Sequence, residues 1–422
     1  MSRLLFCAFA VTAASLFGTP TVSNVRVTTD AATRRVTVAY ELSGGPAIIT
    51  MEMLTNGVAV GEADCTALYG DVNKQVADDE NRQAVWLVDH EKLNVQLENV
   101  TVSVKAWSIG APPDYLVVGL DGPNDVRYFV SAEALPGGVD SDDYRTRYIV
   151  LRKISAAGAR RRLGCNPGET GVVVSDKGVD TRARETPRMV NFTNDFWMAV
   201  YPVTQDQWMR VSRKGNPSTH GTYSYSRFLP VEGVKYSDIR PTTWPQDNHI
   251  FNYTEMSETF CSILRNRSGV EFDLPTDAQW EFACRAGTDS ALYDGNALTY
   301  TELDPLDPNL DDLAWYGGNA NGRTHIVGTK RPNGWGLYDM CGNVWEMVLD
   351  LDDGTAAMSG AETTEPIGLT SATNRCRLRR GGAYYSPARQ CRSAFHGAEG
   401  ESFTNYGTGF RLMAPIDLTW TK

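Results

Sequence analysis

The feature that most constrains this fold is a regular alternation of apolar and polar side chains in the first quarter of the chain. The alternating apolar positions include Val36, Val38, Tyr40, Val100, Val102 and Val104. Such alternation places apolar side chains on one face of a β-strand and polar ones on the other. Asn56-Gly57 offers the positive φ angles of a tight hairpin turn. The pattern predicts a small all-β sandwich of immunoglobulin or fibronectin type over residues 19–110, although a Cys-Trp-Cys core signature is lacking.

The sequence pattern changes near Tyr148, where irregular stretches rich in Gly, Asn, Asp and Trp alternate with short helical patterns. Two capping boxes predict helix starts, because a threonine and a glutamine three residues later satisfy unpaired helix amides. They are Thr204 with Gln207, and Thr276 with Gln279. We expect the second of these helices to stop at Gly287. Residues 148–415 are predicted to form an α+β domain, followed by a tail at 416–422.

The segment 111–147 lies between these two regions and carries strand-like stretches at 115–118 and 126–130. Breaks rich in Gly and Pro or in acidic residues flank them. The pattern fits a bridging β segment and fits the last strands of the sandwich equally well.

The N-terminus predicts a secretory signal peptide over residues 1–18. Arg3 precedes an apolar run from Leu4 to Phe17, which small residues follow. The run is shorter than the roughly 18 to 20 apolar residues that a membrane span needs. A retained anchor is the alternative. We expect a secreted or periplasmic protein with no membrane span.

Charge and cysteine usage narrow the classes of partner. Net charge is −11, with 51 acidic and 40 basic side chains, so nucleic acid is excluded as an expected partner. The one dense basic run, Arg160–Arg162, is predicted to be a solvated loop. Removal of a signal peptide would leave seven cysteines, an odd number, without the C-x-x-C spacing of a structural zinc site.

Five short stretches, in this order, resemble the formylglycine-generating, or sulfatase-modifying factor, family. They are Tyr201-Pro202-Val203-Thr204-Gln205 with Trp208, Leu274-Pro275-Thr276 through Glu281, Asn333 through Met340, Gly342-Asn343-Val344-Trp345-Glu346, and Arg380-Gly381-Gly382 leading to Gly409-Phe410-Arg411. The resemblance implies the family's variant of the C-type-lectin fold, which has little regular secondary structure.

The resemblance also implies a structural calcium ion. Its ligands would be the side chains of Asp339 and Glu346 and the carbonyl oxygens of Gly342 and Val344. An all-oxygen set of this kind suits calcium. The alternative is a hydrogen-bonded turn in which Asp339 caps the backbone and Glu346 meets an arginine.

The family's enzymes oxidise a cysteine in a sulfatase peptide, using two cysteines five residues apart that bind copper(I). Here the second of these positions is Cys391, whereas the first is Ser386. A hydroxyl is a poor ligand for copper(I), which soft thiolates select. Ala383 and Pro387 depart from the family pattern in the same segment. We expect Cys391 to act as a buried packing thiol unless an unidentified second donor completes the copper site.

The family's two disulfides do not carry over to this chain. Cys261 and Cys284 occupy the expected places, but their partner positions fall on Leu412 and His396. The remaining cysteines leave the pairing open.

The sequence lacks the motifs of an iron enzyme and of a serine hydrolase. The five histidines are scattered without the clustering that an iron site needs, and no G-x-S-x-G elbow presents a serine nucleophile. The histidines are His90, His220, His249, His325 and His396.

A ligand-binding role is the remaining class, since some relatives with this fold display a variable binding face. Aromatic residues interleaved with Arg and Asn are typical of binding surfaces. The corresponding residues are Tyr384, Tyr385, Arg389, Phe395, Phe403, Asn405 and Tyr406. Equally, Tyr384 and Phe395 would be core residues and the others ordinary loop.

The sequence therefore favours a divergent family member that binds a protein or small-molecule ligand, or acts as a scaffold, without copper-dependent oxidation. The alternative is an oxidase that converts a sulfatase cysteine to formylglycine through Cys391.

Overall fold

The computed structural model describes residues 18–61, 65, 67–88, 97, 99–170, 185–218, 226–241, 258–352, 361–365 and 376–416. They divide into two compact units between Pro112 and Pro113. Almost all of the predicted signal peptide and the tail beyond residue 416 lie outside the described residues. Within the described ranges, no helix has the length and apolar content needed to cross a bilayer.

The first unit is built from antiparallel β-strands in two sheets. The strands are β1 (Thr21–Asp30), β2 (Arg35–Ser43), β3 (Ala47–Thr55), β4 (Val58–Val60), β5 (Leu68–Gly70), β6 (Lys74–Val76), β7 (Asp79–Leu87) and β8 (Val100–Ser108). One sheet has the order β1-β2-β7-β5, and the other has β4-β3-β6 with β8 also paired to β3.

Both sheets of this unit contribute side chains to one apolar cluster. Val36 and Val38 from β2, Met51 from β3 and Trp86 from β7 are members, and all four are buried. The period-two pattern is thus confirmed as a set of strands with one buried face. Asn56 (φ 50°) and Gly57 (φ 75°) form the predicted two-residue hairpin turn between β3 and β4.

The second unit holds three sheets. Its strands are β9 (Tyr115–Gly119), β10 (Val126–Phe129), β11 (Tyr148–Ile154), β12 (Arg160–Leu163), β13 (Arg188–Asn191), β14 (Phe196–Ala199), β15 (Trp345–Asp352), β16 (Thr363–Thr364), β17 (Cys376–Arg380), β18 (His396–Gly400), β19 (Thr408–Phe410) and β20 (Met413–Pro415). The sheet orders are β10-β9-β11-β14-β20, β12-β13-β16 and β18-β17-β15-β19. Both units are mostly β. The sequence predicts this for the first unit, whereas for residues 148–415 it predicts an α+β domain, and the second unit adds only a few short helices to its sheets.

The segment 111–147 contributes strands to the second unit. Strand β9 lies between β10 and β11 in the five-stranded sheet, with Leu116 opposite Leu151. All five of its residues are buried. A continuous apolar run is typical of a strand covered on both faces, whereas the sandwich strands alternate.

The arginine run at 160–162 forms an edge strand, so the predicted loop is wrong. Arg160 and Arg161 are exposed, as expected for a solvated segment. The backbone pairs with β13, and the Arg160 guanidinium contacts Glu362 at 3.0 and 2.9 Å. Charged side chains of this kind protect a sheet edge from pairing with other chains.

Within the described residues of the second unit, four short helices pack among the sheets. They are α1 (Gln205–Ser212), α2 (Tyr236–Ile239), α3 (Phe260–Ser268) and α4 (Asp277–Arg285). The two capping boxes are confirmed at the N-termini of α1 and α4. Helix α4 ends two residues before Gly287, because Ala286 already adopts a left-handed conformation with φ 45°.

Candidate functional site

The segment that follows β17 carries the positions of the family's copper-binding cysteines. Gly381 and Gly382 have φ of 90° and 77° and turn the chain out of the strand. A Cβ atom at position 382 would lie 2.7 Å from Cys391 Sγ. Glycine at this position therefore allows the backbone to pass directly over the Cys391 sulfur.

Ser386 is fully buried and holds a tight backbone turn. Its Oγ accepts a hydrogen bond from the Ala383 N–H at 3.0 Å, and its own N–H donates to the Ala383 carbonyl oxygen at 2.8 Å. Its carbonyl oxygen accepts from the Gly317 N–H at 2.9 Å. The hydroxyl is thus used in a structural bond, and neither its chemistry nor its environment suits copper(I).

Cys391 closes a short 3-10 helix, Ala388–Cys391, in the apolar core of the second unit. Its side chain is fully buried. Burial raises the pKa of the Cys391 thiol well above its usual range. Reactive cysteines usually combine a lowered pKa with solvent access, and Cys391 has neither in this structure.

Two further cysteines lie in the same core cluster. Cys284 and Cys341 share a hydrogen bond between their thiols, and Cys391 is close enough to Cys341 to raise its pKa electrostatically. All three are free thiols. Across the described ranges, no three or more His, Cys, Asp or Glu side chains are grouped so as to hold a metal ion. Of the two positions expected to bind copper, one therefore holds the Ser386 hydroxyl and the other the buried Cys391 thiol.

The predicted calcium ligand Glu346 is engaged in an ion pair. Its Oε1 and Oε2 accept hydrogen bonds from the Arg411 guanidinium at 2.8 and 3.0 Å, and Oε2 also accepts from the Trp280 indole N–H at 2.6 Å. All three side chains are buried. Both carboxylate oxygens thus accept hydrogen bonds beside a full positive charge, and this is the contact with an arginine that the alternative to calcium describes.

Asp339 also satisfies its oxygens within the protein. It accepts hydrogen bonds from the Gly328 N–H at 2.7 Å and from the Asn343 side-chain amide at 3.4 Å. Burial raises the pKa of its carboxyl group to about 6. Gly342, another member of the predicted set, donates its N–H to the Gly381 carbonyl oxygen at 2.7 Å. These contacts match the alternative of a hydrogen-bonded turn.

Val344, the fourth residue of that set, is buried in the same loop. Asp339, Gly342 and Val344 therefore lie in the loop that leads into β15, and Glu346 is the second residue of that strand.

A second buried ion-pair network surrounds His396. The Arg380 guanidinium contacts Asp277 and, at 3.0 Å, Glu281. Burial opposes ionisation of Asp277, but the charge of Arg380 outweighs it and lowers the pKa of this carboxyl group. Burial and the charge of Arg380 lower the pKa of His396 to about 3, so the imidazole is neutral.

The other described histidine is also structural. The His325 ring stacks on Trp315 with 3.7 Å between centroids, and one ring nitrogen lies 2.9 Å from the Ala320 carbonyl oxygen. His90, His220 and His249 lie outside the described residues.

The predicted binding face separates into core and surface residues. Tyr384 is buried, and Phe395 is half-buried against Trp345 with ring centroids 5.9 Å apart. Phe403 and Tyr406 are 69% and 57% exposed.

Two polar residues of this face have partners. Arg389 is ion-paired with Glu302, and Asn405 accepts a hydrogen bond from the Tyr385 hydroxyl at 3.2 Å. Tyr385 itself is 40% exposed. The exposed aromatic residues Tyr385, Phe403 and Tyr406 are called the aromatic face below.

Sequence reasoning missed the partners of the buried acids. Trp280 falls within the second motif, which gives it no partner, yet its indole N–H donates to Glu346. Arg380 and Arg411 were noted only as motif letters, yet each is fully buried and paired with a carboxylate. The sequence did offer one signal, an arginine beside glycines in an apolar stretch, which indicates a buried arginine. A buried arginine requires a partner, so the sequence could have predicted a buried carboxylate beside each one.

Comparison with known proteins agrees with this geometry. Residues 165–416 match the family described as the sulfatase-modifying factor enzyme 1-like domain. The chain is 32% identical over 175 residues to the formylglycine-generating enzyme of Mus musculus, a match that covers 39% of this chain and 44% of the mouse protein. It is 25% identical over 283 residues to chaperone protein LppX of Paenibacillus barcinonensis, covering 59% of this chain and 91% of that protein.

Among solved structures, Treponema denticola variable protein 1 aligns with a TM-score of 0.48 and 22% identity, covering 64% of this chain and 95% of that chain. The chain spans less than half the length of the mouse enzyme. The family match covers more than half of the present chain. Together with the ordered motifs, it shows that this protein belongs to the sulfatase-modifying factor family.

Proposed function

We propose that this protein is an exported, divergent family member that has lost copper-dependent oxidation and binds a ligand through its aromatic face. The observation that carries the proposal is the pair of positions Ser386 and Cys391. One holds an oxygen that closes a backbone turn, and the other holds a neutral thiol sealed in the core. Neither supplies the accessible thiolate that copper(I) chemistry requires.

The aromatic face supports the binding role. Large aromatic side chains are usually buried in a monomer, and several exposed together mark an interaction surface. The Tyr385 ring is held in place, because it packs against Gly407, where a Cβ would lie 2.4 Å from it. A rigid aromatic side chain loses little conformational entropy when it binds a partner.

The ligand that suits this face is a protein segment with apolar side chains. Leu303 and Leu306 add exposed apolar surface, at 46% and 48% exposure. Gly317 lies between Leu303 and Tyr385, because a Cβ atom placed on it would contact the Leu303 side chain and the Tyr385 carbonyl oxygen. Leu303 therefore borders the aromatic face. A relative matched over 91% of its length is named a chaperone protein, which agrees with protein binding. A sulfatase is the partner that the family suggests.

The finer fold assignments belong to the same proposal. The second unit would be a C-type-lectin-like domain, and the first an immunoglobulin-like or fibronectin-like sandwich that spaces or tethers it. We further propose that hydrogen bonds and the Glu346–Arg411 pair, rather than calcium, stabilise the loop at 339–346.

A copper titration tests the loss of oxidation. Purified protein is titrated with copper(I) and then incubated in air with a cysteine-containing sulfatase peptide, and aldehyde formation is followed by mass spectrometry. We expect neither tight copper binding nor aldehyde. Ser386→Cys is the companion variant, and we expect no aldehyde from it because Cys391 remains buried. Aldehyde from the unmodified protein would establish the oxidase alternative.

A binding measurement tests the aromatic face. Phe403→Ser and Tyr406→Ser remove exposed rings, so folding should be unchanged while affinity for the immobilised sulfatase peptide falls. Tyr69→Ser is a matched control, because this tyrosine is 55% exposed in the first unit. Equal peptide binding by all three variants and the unmodified protein would reject the aromatic face as the binding surface.

Export is tested separately by N-terminal sequencing of the protein recovered from the producing cells. The predicted signal peptide at residues 1–18 should be absent. An intact N-terminus on cytoplasmic protein would reject export.

A further inference from the structure

A surface cavity of about 430 Å³ lies in the second unit, away from the loop of Ser386 and Cys391. The loop at 120–123 forms one wall, and Arg210, Arg213 and Arg267 line the rest. Arg210 belongs to helix α1, Arg213 follows its last residue, and Arg267 lies in the last turn of α3. Two helix ends therefore bring three guanidinium groups to one opening.

The charges around this cavity do not balance. Arg210 is paired with Asp206 and with Asp121, which also lines the cavity. The Arg267 guanidinium donates to the Leu120 carbonyl oxygen at 2.7 Å and, from both terminal nitrogens, to the Arg210 carbonyl oxygen at 3.4 Å. Within the described parts of the chain, neither Arg213 nor Arg267 forms an ion pair with a carboxylate.

The ion pairs next to the cavity leave the same excess of positive charge. Arg147 shares Asp121 and also contacts Asp143 at 3.9 Å, and Arg227 contacts Asp206 at 3.4 Å. Five arginines thus face three aspartates in this region. Burial and the nearby charge of Arg213 lower the pKa of Arg267, although the charge of Asp121 acts in the opposite direction. The positive charge of Arg213 therefore acts directly on Arg267.

Arg213 occupies a backbone position that glycine normally fills. It caps the C-terminus of α1 in a left-handed conformation with φ 55° and ψ 13°. Residues other than glycine are disfavoured there, and an outlier of this kind motivates a search for function. Arg213 is exposed and lines the cavity.

We propose that this cavity binds a tetrahedral oxyanion, phosphate or sulfate, free or as the terminal group of a small molecule, with Arg213 and Arg267 as its principal ligands. Guanidinium groups recognise such oxygens through paired, charge-assisted hydrogen bonds. The cavity is large enough to admit the group together with part of the molecule that carries it. This site is independent of the aromatic face and of the proposed loss of oxidation.

Calorimetric titration of the full chain with inorganic phosphate, inorganic sulfate and chloride at matched ionic strength tests the proposal. We expect saturable binding of phosphate or sulfate beyond the chloride response. The anion that binds more tightly, phosphate or sulfate, identifies which of the two groups the site recognises. Absence of saturable binding of either anion would overturn the proposal.

Arg213→Gly is the decisive variant, because glycine suits the left-handed backbone while the guanidinium is removed. Its thermal stability should equal or exceed that of the unmodified protein, and its anion affinity should fall at least about tenfold. Arg34→Gly is the matched control, since Arg34 has a φ of 50° and does not line the cavity. Unchanged anion affinity in Arg213→Gly would equally overturn the assignment.

Discussion

Replacing Glu346 with glutamine should strongly destabilise the second unit. The carboxylate receives two hydrogen bonds from Arg411 and one from Trp280, and all three side chains are buried. Glutamine keeps one acceptor oxygen but turns an N–H₂ donor towards the guanidinium, which has only donors. The substitution therefore leaves a buried positive charge without its counter-ion.

Breaking a buried ion pair by removal of one partner costs about 3–5 kcal/mol. Arg411 also donates to the carbonyl oxygens of Ala199, Val200 and Tyr338, and these bonds remain in the variant. We therefore place the loss at the lower end, about 3 kcal/mol. For a unit of roughly 300 residues, that corresponds to a fall in melting temperature of roughly 5 °C.

The assay is chemical denaturation followed by near-ultraviolet circular dichroism, fitted with separate transitions for the two units. Asp238→Asn is the control, because the Lys214–Asp238 pair is exposed and should contribute less than about 1 kcal/mol. Each protein is measured with calcium and with a chelator. We expect no calcium effect, because Arg411 and Trp280 already occupy the Glu346 oxygens.

Two results would refute this reasoning. A loss below about 1 kcal/mol in Glu346→Gln would show that the pair with Arg411 is not desolvated as the structure indicates. A calcium-dependent rise in stability that disappears in Glu346→Gln would show instead that this carboxylate binds the ion.

Further expectations concern the core around this loop. The pKa of His396 is lowered to about 3, so as pH falls the unfolded chain binds a proton at this histidine before the folded chain does. The free energy of unfolding should therefore fall below about pH 6.5, by up to about 1.4 kcal/mol per pH unit. His396→Gln should show a shallower decline in unfolding free energy between pH 6.5 and 4, and an unchanged slope would contradict the buried neutral imidazole. Ser386→Ala should cost about 1–3 kcal/mol in chemical denaturation, because it leaves the buried Ala383 N–H without its acceptor; a neutral result would count against that bond. Refolding with oxidised glutathione should link Cys284 to Cys341, whose thiols already share a hydrogen bond, and peptide mapping that finds either one bridged elsewhere would contradict the observed packing.

Local signals predicted local structure well. The period of two in β2 and the Asn56-Gly57 turn depend on neighbouring residues alone, and both are confirmed. The capping boxes that begin with Thr204 and Thr276 are confirmed for the same reason. The end of α4 was misplaced because Ala286 adopts a left-handed conformation, which its side chain disfavours and which no sequence signal announces.

The candidate site depended on contacts distant in sequence, which local patterns do not encode. Glu346 and Arg411 are 65 residues apart, so the sequence supplied the carboxylate but not its partner. The substitution at Ser386 was readable directly, since oxygen and sulfur differ as ligands. The burial of Cys391 was also expected, but the close passage of Gly382 over its sulfur was not.

The buried arginines have a consequence for protein engineering. Arg380, Arg392 and Arg411 lie at the ends of segments that carry the surface loops, and each is fixed by carboxylates inside the second unit. The anchoring of those loops is thus separated from the side chains that they expose. Positions 403 and 406, whose side chains are mostly exposed, should accordingly tolerate randomisation in a display library with little loss of folded clones. That tolerance would make this unit a scaffold for selecting new binding specificities.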